Sequence, residues 1–300
     1  MRIGIFFPSV EHETIDVMVE RFADVAMQGF HSAWVPQSSS YDALTLLAIV
    51  GREVPDIELG TAVVPSYPRH PMMLAAQALT TNAATGGRLQ LGLGLSHQMV
   101  VEGSWGLSYE QPTRHMEEYL AVLLPLLRDG HVDFAGEVIR GRGRIAVPDA
   151  SPCPVYLAAL QPRMLRLAGA VADGTITWCT GPITLAAQIV PTITEAASTA
   201  GRPAPRVVVA LPCCVTDDEA EGRAAAGEQL RGYGEIPVYR AVLDREGAQG
   251  PADISIVGDE ASVAAQLRRL ATIGATDFMA IPCGTTDDRA RTRAHLATLG

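Results

Sequence analysis

Apolar residues along this chain follow two alternating rhythms. Short, nearly unbroken apolar runs occur at 2–7 (RIGIFF), 32–35 (SAWV), 57–64 (IELGTAVV), 89–93 (LQLGL), 154–158 (PVYLA), 174–178 (GTITW), 207–215 (VVVALPCCV) and 277–281 (DFMAI). Their length and bounding turn residues predict buried strands. Between them, apolar positions recur at helical spacing, as in Met72, Ala75, Ala76 and Leu79, or Met116, Tyr119, Leu120, Leu123, Leu124 and Leu127. That spacing predicts a helix from Ile15 ended by Gly29, and others over 41–51, 71–84, 112–129, 162–171, 183–200, 217–231, 238–245, 260–273 and 287–299. Asp42 is a candidate N-cap, Pro71 suits a first helical turn and Gly86–Gly87 stops the helix before it. Pro125 is expected to kink its helix.

Strand, helix, strand with short links requires parallel pairing, because a crossover helix returns the chain to the same end of the sheet. Eight such alternations predict a (β/α)8 TIM barrel, read as one domain over 1–300 with excursions at about 131–150 and 232–256. In the first excursion 134–138 reads as a hairpin and 141–144 as a loop. A doubly wound sheet would need a dinucleotide fingerprint. The one candidate, Gly92-Leu93-Gly94, lacks the third glycine and an acid about 20 residues on.

In parallel α/β folds ligands sit at the C-terminal ends of strands, which points to the residues just after each run. His97 follows the fourth strand beside Ser96, and Glu102 lies on the same loop; both are candidate acid–base groups, or a loop histidine and a solvated carboxylate. Gln37 is a polar group after the second strand. Glu11-His12-Glu13 has metal-ligand chemistry, yet neighbours on a loop rarely converge on one ion. Gln161-Pro162-Arg163 opens a helix after the fifth strand, so free N–H groups and a guanidinium make an anion site. Thr180-Gly181 could add a hydroxyl and an N–H to it. Tyr233 and Tyr239 line a pocket or fill core. Arg88 reads as structural.

Composition narrows this further. Three hundred residues, 48% hydrophobic and 19% charged, suffice for a large core. A net charge of −10 argues against nucleic acid, while leaving room for a small anion held by local arginines. All 23 basic residues are arginine, which removes lysine Schiff-base chemistry and a Walker-type phosphate loop. No apolar run approaches the roughly 18 residues that span a bilayer, and the apolar stretch before Pro8 is short for a signal peptide. Five cysteines without a C-x-x-C pair read as reduced, buried thiols of a cytoplasmic protein.

The segments GTAVVPSYPRHP, GGRLQLGLGLSHQ, RHMEEYLAVLLPLL, PVYLAALQPRMLRLAGAVADGTITW and VGDEASVAAQLRRLATIGATDFMAIP together resemble the bacterial-luciferase-like superfamily of flavin and deazaflavin oxidoreductases, and most of all its coenzyme F420-dependent branch. The resemblance implies a homodimeric barrel with insertions and a deazaflavin in its mouth. It implies a non-prolyl cis peptide at Ala62–Val63 behind the ring, and a cofactor set of Ala62, Val63, Val64, Ser96, His97, Ala159, Leu160, Gln161, Arg163, Thr180 and Gly181. The phosphate loop in this family often carries Gly-Gly; here Ala159-Leu160-Gln161 stands there, and Cβ atoms restrict backbone approach. Some relatives carry an acid–His pair after strand two and a glutamate after strand four. This chain has Pro36-Gln37-Ser38 and Leu95-Ser96-His97 instead, so their proton-transfer chemistry does not carry over. The implied activity is F420-dependent hydride transfer between the deazaflavin C5 and a small organic substrate. Alternatives are a reduced-FMN monooxygenase with a separate reductase, and a non-catalytic flavin-binding barrel.

Overall fold

The computed structural model describes residues 1–8, 10 and 12–300. Its strands in chain order begin with β1 (Arg2–Phe6), β2 (Ser32–Val35), β3 (Glu58–Thr61) and β4 (Val64–Pro65), which resumes β3 after Ala62 and Val63. β5 (Leu89–Gly94) follows, then the hairpin strands β6 (His131–Ala135) and β7 (Arg140–Arg144). The last five are β8 (Val155–Ala158), β9 (Gly174–Trp178), β10 (Arg206–Val215), β11 (Ile256–Gly258) and β12 (Asp277–Pro282). Parallel pairing runs β1, β2, β3, β5, β8, β9, β10, β12 and back to β1. This closed ring with helices outside is the expected barrel. β11, absent from the sequence reading, extends β10 beyond the ring.

Alternation along the strands sends every second residue into the lumen. There Phe6, Trp34, Tyr156, Ile176, Val208, Ala210, Met279 and Ile281 form a separate apolar cluster, with Ala62, Val63 and Trp178 packed on it. The indole of Trp34 is large for one layer, and it fits because β3 offers glycine: a Cβ at Gly60 would lie 2.0 Å from the Trp34 ring. Between β3 and β4 the ladder to β5 is interrupted, and a side chain fills the gap. Thr61 Oγ1 accepts from Gly92 N and donates to Gly92 O, both at 2.9 Å. The peptide bond just beyond, Ala62–Val63, is cis, as the resemblance implies.

A polar plug closes the N-terminal end of the lumen. Arg206 binds Asp277, donates to Gln90 Oε1 at 3.1 Å and to Tyr156 Oη at 2.8 Å. Burial alone would lower the Arg206 pKa, but the Asp277 carboxylate outweighs it and holds the guanidinium charged. Arg88 is structural as read: it donates to the carbonyls of Gly51, Val54, Ile57 and Thr85, tying three elements together. Asp42 caps the helix Ala43–Glu53 by accepting from Thr45 N.

The first excursion departs from expectation. The hairpin is real, but its turn falls at 136–139, and the stretch 141–144 read as a loop belongs to the strand β7, Arg140–Arg144. Glu118, buried in the helix Pro112–Asp129, accepts from the backbone N of Glu137, Val138 and Ile139 at 3.0, 2.7 and 2.8 Å and so anchors that turn. Pro125 sits inside this helix, which nonetheless runs unbroken from Pro112 to Asp129. The second excursion contains a short turn at Tyr233–Glu235, the helix Pro237–Glu246 and a turn at Pro251–Ile254.

Candidate functional site

The C-terminal mouth of the barrel has a floor of small groups. A Cβ on Gly94 would lie 2.7 Å from Val63 Cγ2 and 3.3 Å from the Cβ of Ala158, so glycine of β5, valine of the gap between β3 and β4, and alanine of β8 meet there. Ala62 and Val63 rest on the lumen cluster below.

One wall is aromatic and assembled from four separate segments. Phe6 of β1 meets Trp178 of β9 edge-on at 5.5 Å, and Trp178 meets Tyr233 at 5.5 Å. Tyr233 meets Tyr239 at 5.3 Å, and Tyr239 meets His97 at 5.7 Å. All four contacts are edge-to-face, the favoured arrangement for rings with opposed quadrupoles. The second excursion thus reaches the mouth, and His97 closes the series. Burial holds the His97 pKa below its ordinary value, so the ring is neutral at pH 7. Burial also raises the pKa of Tyr233 and Tyr239, with the Cys179 thiol adding to it. Trp178 Nε1 is buried without a hydrogen-bond partner among the described residues.

A second stack stands behind the loop that carries His97. Tyr67 lies flat on His115, with centroids 4.0 Å apart and planes within 4°, and Tyr109 stacks on its other side at 5.3 Å. Ser66 Oγ lies 3.0 Å from His115 Nε2, and Tyr109 Oη donates to Ser96 O at 3.4 Å. Burial pushes the His115 pKa down to about 4, against a small opposing pull from Glu118. Burial pushes the Tyr67 phenol up to about 12, helped by Tyr109 and Glu102.

Two helix starts face the mouth, and they differ. The helix Pro162–Val171 begins at Gln161 with no side-chain cap, and Arg163 beside it is exposed and has no ion-pair partner among the described residues. The helix beginning at Pro182 is already occupied: the Glu246 carboxylate accepts from Ile183 N at 3.0 Å and Thr184 N at 2.5 Å. A Cβ on Gly181 would lie 2.6 Å from that carboxylate.

The sequence profile of the luciferase-like monooxygenase family matches residues 1–287. The chain belongs to this family. It is similar to a 5,10-methylenetetrahydromethanopterin reductase of Methanolobus tindarius, 29% identical over 275 residues, covering 90% of this chain and 83% of that one. Among solved structures it superposes on a coenzyme F420 dependent tetrahydromethanopterin reductase from Methanopyrus kandleri with a TM-score of 0.82 at 21% identity, covering 99% of this chain and 97% of that one. It superposes on an F420-dependent secondary alcohol dehydrogenase, in complex with an F420–acetone adduct, with a TM-score of 0.81 at 18% identity, covering 100% and 98%.

In this luciferase-like barrel the sequence candidates fall into groups. His97 and Ser96 lie at the mouth; Ser96 takes a left-handed φ of 64°, and the His97 ring makes no hydrogen bond among the described residues. Ala62, Val63 and Val64 occupy the cis-peptide bulge. Ala159 is buried, and Leu160 O accepts from Gln188 Nε2 at 2.6 Å.

Others have structural employment. Gln37 Oε1 accepts from Ala43 N at 2.9 Å and from Arg69 at 3.4 Å, so its amide serves a helix start. Glu102 is exposed and accepts from Gln98 Nε2 and Tyr109 N, which fastens its own loop. Thr180 donates to Trp178 O at 3.0 Å. With Glu246 on the neighbouring N–H groups, the region of Thr180 and Gly181 already carries a bound anion, and a phosphate there would have to compete with it. Glu11 lies outside the described residues; among those described no group of three His, Cys, Asp or Glu is placed to hold a metal. Sequence reading missed Tyr67, Tyr109, His115 and Glu246, and placed Ser66 and Trp178 only as strand ends. No described helix is long and apolar enough to cross a membrane.

Proposed function

We propose that this protein is an F420-dependent oxidoreductase that moves a hydride to or from a small organic substrate. The observation that carries this reading is the match to the Methanolobus tindarius reductase, which extends over 90% of the chain. The mouth fits such a cofactor on two counts. Its floor of Gly94, Ala158, Ala62 and Val63 is small and apolar, which suits the face of a fused ring. The uncapped helix start at Gln161 with Arg163 beside it suits a phosphate.

The deazaflavin, when bound, supplies or accepts the hydride at its C5. The chain positions and isolates. The floor orients the ring, the aromatic wall keeps water from the reacting centre, and Arg163 with the first helical N–H groups holds the phosphate. His97, neutral and with its ring nitrogens free of hydrogen bonds, gives or takes a proton at the substrate oxygen. We read residues 1–300 as one catalytic domain acting as a cytoplasmic homodimer on a small molecule, with neither nucleic acid nor membrane as partner; light scattering on the purified protein checks the dimer.

Fluorescence titration with F420 and FMN tests the cofactor. F420 should bind at micromolar concentration or tighter. Arg163→Ala should weaken it about ten- to a hundredfold, the equivalent of one charge-assisted contact of about 1.5–3 kcal/mol. Tight FMN binding with no response to F420 would overturn the reading in favour of a reduced-FMN monooxygenase. With a turned-over substrate in hand, His97→Ala should lower kcat about 10²–10⁴-fold with little change in thermal midpoint; unchanged kcat would leave His97 a loop residue.

A further inference from the structure

The aromatic wall is also a statement about what enters the mouth. Four edge-to-face contacts join Phe6, Trp178, Tyr233, Tyr239 and His97 across β1, β9, the second excursion and the loop after β5. Among the described residues, neither phenol hydroxyl of Tyr233 or Tyr239, nor either ring nitrogen of His97, nor Trp178 Nε1, makes a hydrogen bond. The wall therefore pairs a large apolar surface with neutral hydrogen-bonding groups that lack a partner.

Several charged side chains of the flanking segments are engaged elsewhere. Arg69 is paired with Asp42 and Arg21 with Glu13; Arg240 is paired with Asp244 at 2.8 Å. Glu246 is bound to backbone N–H groups. Arg163, without an ion-pair partner among the described residues, stands at the helix start assigned to the cofactor phosphate.

We propose that the mouth takes an uncharged substrate bearing a carbonyl or hydroxyl oxygen on a flat unsaturated or aromatic skeleton, and that Tyr233 and Tyr239 determine this preference. The proposal rests on the oxidoreductase reading and refines it. The rings of this wall carry no positive charge, so an anionic group placed against them would lose its hydration without a cation of the wall to replace it, which is costly. A neutral oxygen can accept from a phenol or an imidazole N–H, and a flat ring gains stacking and edge contacts from the wall.

Calorimetric titration of the F420-loaded protein with 2-naphthaldehyde and with 2-naphthoate tests it, the two probes sharing a skeleton and differing in charge. The aldehyde should bind at least tenfold more tightly. Tyr239→Ala should weaken the aldehyde about tenfold, and Tyr239→Phe, which keeps the ring, by less; Tyr233→Ala should act in the same direction. Unchanged F420 affinity and thermal midpoint in each variant show that fold and cofactor site survive. Equal or tighter binding of naphthoate overturns the proposal, as does aldehyde affinity that ignores all three substitutions. F420 binding is measured first on the same sample. Its absence removes the proposed cofactor, whereas its presence with no probe discrimination removes the substrate class alone.

Discussion

His115 gives a prediction whose size follows from its surroundings. The ring is 8% exposed, stacked on Tyr67 and bonded to Ser66, and burial drives its pKa to about 4. In the unfolded chain the same group titrates near 6.5. Above pH 6.5 both states are neutral and the residue imposes no pH dependence. As pH falls from 6.5 towards 4 the unfolded state takes up a proton that the folded state resists, so stability is lost across that window and the loss levels off below it. A difference of about 2.5 pH units at about 1.4 kcal/mol each amounts to about 3 kcal/mol. His115→Phe keeps a flat ring against Tyr67 and cannot titrate. Urea unfolding of both proteins at pH 7.5, 6.5, 5.5, 4.5 and 4 isolates the contribution, since the carboxylates common to both cancel in the comparison. The native histidine protein should lose about 3 kcal/mol relative to the phenylalanine variant between pH 6.5 and 4. Parallel profiles would refute the reasoning and mean that the folded ring accepts its proton readily.

Two further substitutions bear on the scaffold. Glu118→Gln replaces a carboxylate that accepts three backbone N–H groups with an amide that presents its own donors to them. It should cost about 2–4 kcal/mol in urea unfolding and speed hydrogen exchange at Glu137, Val138 and Ile139. Burial tends to raise the Glu118 pKa, but those three donors and Arg114 hold it below the ordinary value, so this contribution is present at neutral pH and lost as acid protonates the folded group. Arg206→Met leaves Asp277, with 5% of its side chain exposed, only Arg2 at 3.4 Å and the Thr276 hydroxyl at 2.6 Å as partners; a loss of about 3 kcal/mol, the lower end for breaking a buried pair, is expected by chemical denaturation, and wild-type stability would show the plug to be dispensable.

The barrel was legible because its ring strands are apolar and its helices periodic, and both signals are local. β7 was not. Its sequence, RGRGR, has charge and glycine where a strand usually shows apolar alternation. It forms because the helix Pro112–Asp129 presses on it closely: a Cβ on Gly141 would lie 2.5 Å from Val122 Cγ1. The short helix Gln98–Gly103 and the three-residue β11 are too brief for periodicity to register. At the mouth, residues directly after strands, such as His97, could be named from position alone. Ser66 and His115 are 49 residues apart in the chain and meet only through the tertiary fold. Glu246 at the Pro182 helix start has the same character, as does the chain of rings from Phe6 to His97. Gln37 and Glu102 were also named from position, and each accepts from a backbone N–H close by, a contact that position alone does not reveal.

The Glu246 contact has an implication for how such a barrel can diversify. The second excursion is fastened to the ring by a carboxylate gripping two main-chain N–H groups, and main-chain N–H groups are present whatever side chains surround them. A replacement segment of different length and composition needs only one acid at the corresponding place to seat itself over the opening. The second excursion is therefore a detachable cassette with a generic latch, exchangeable without redesign of the strands beneath it.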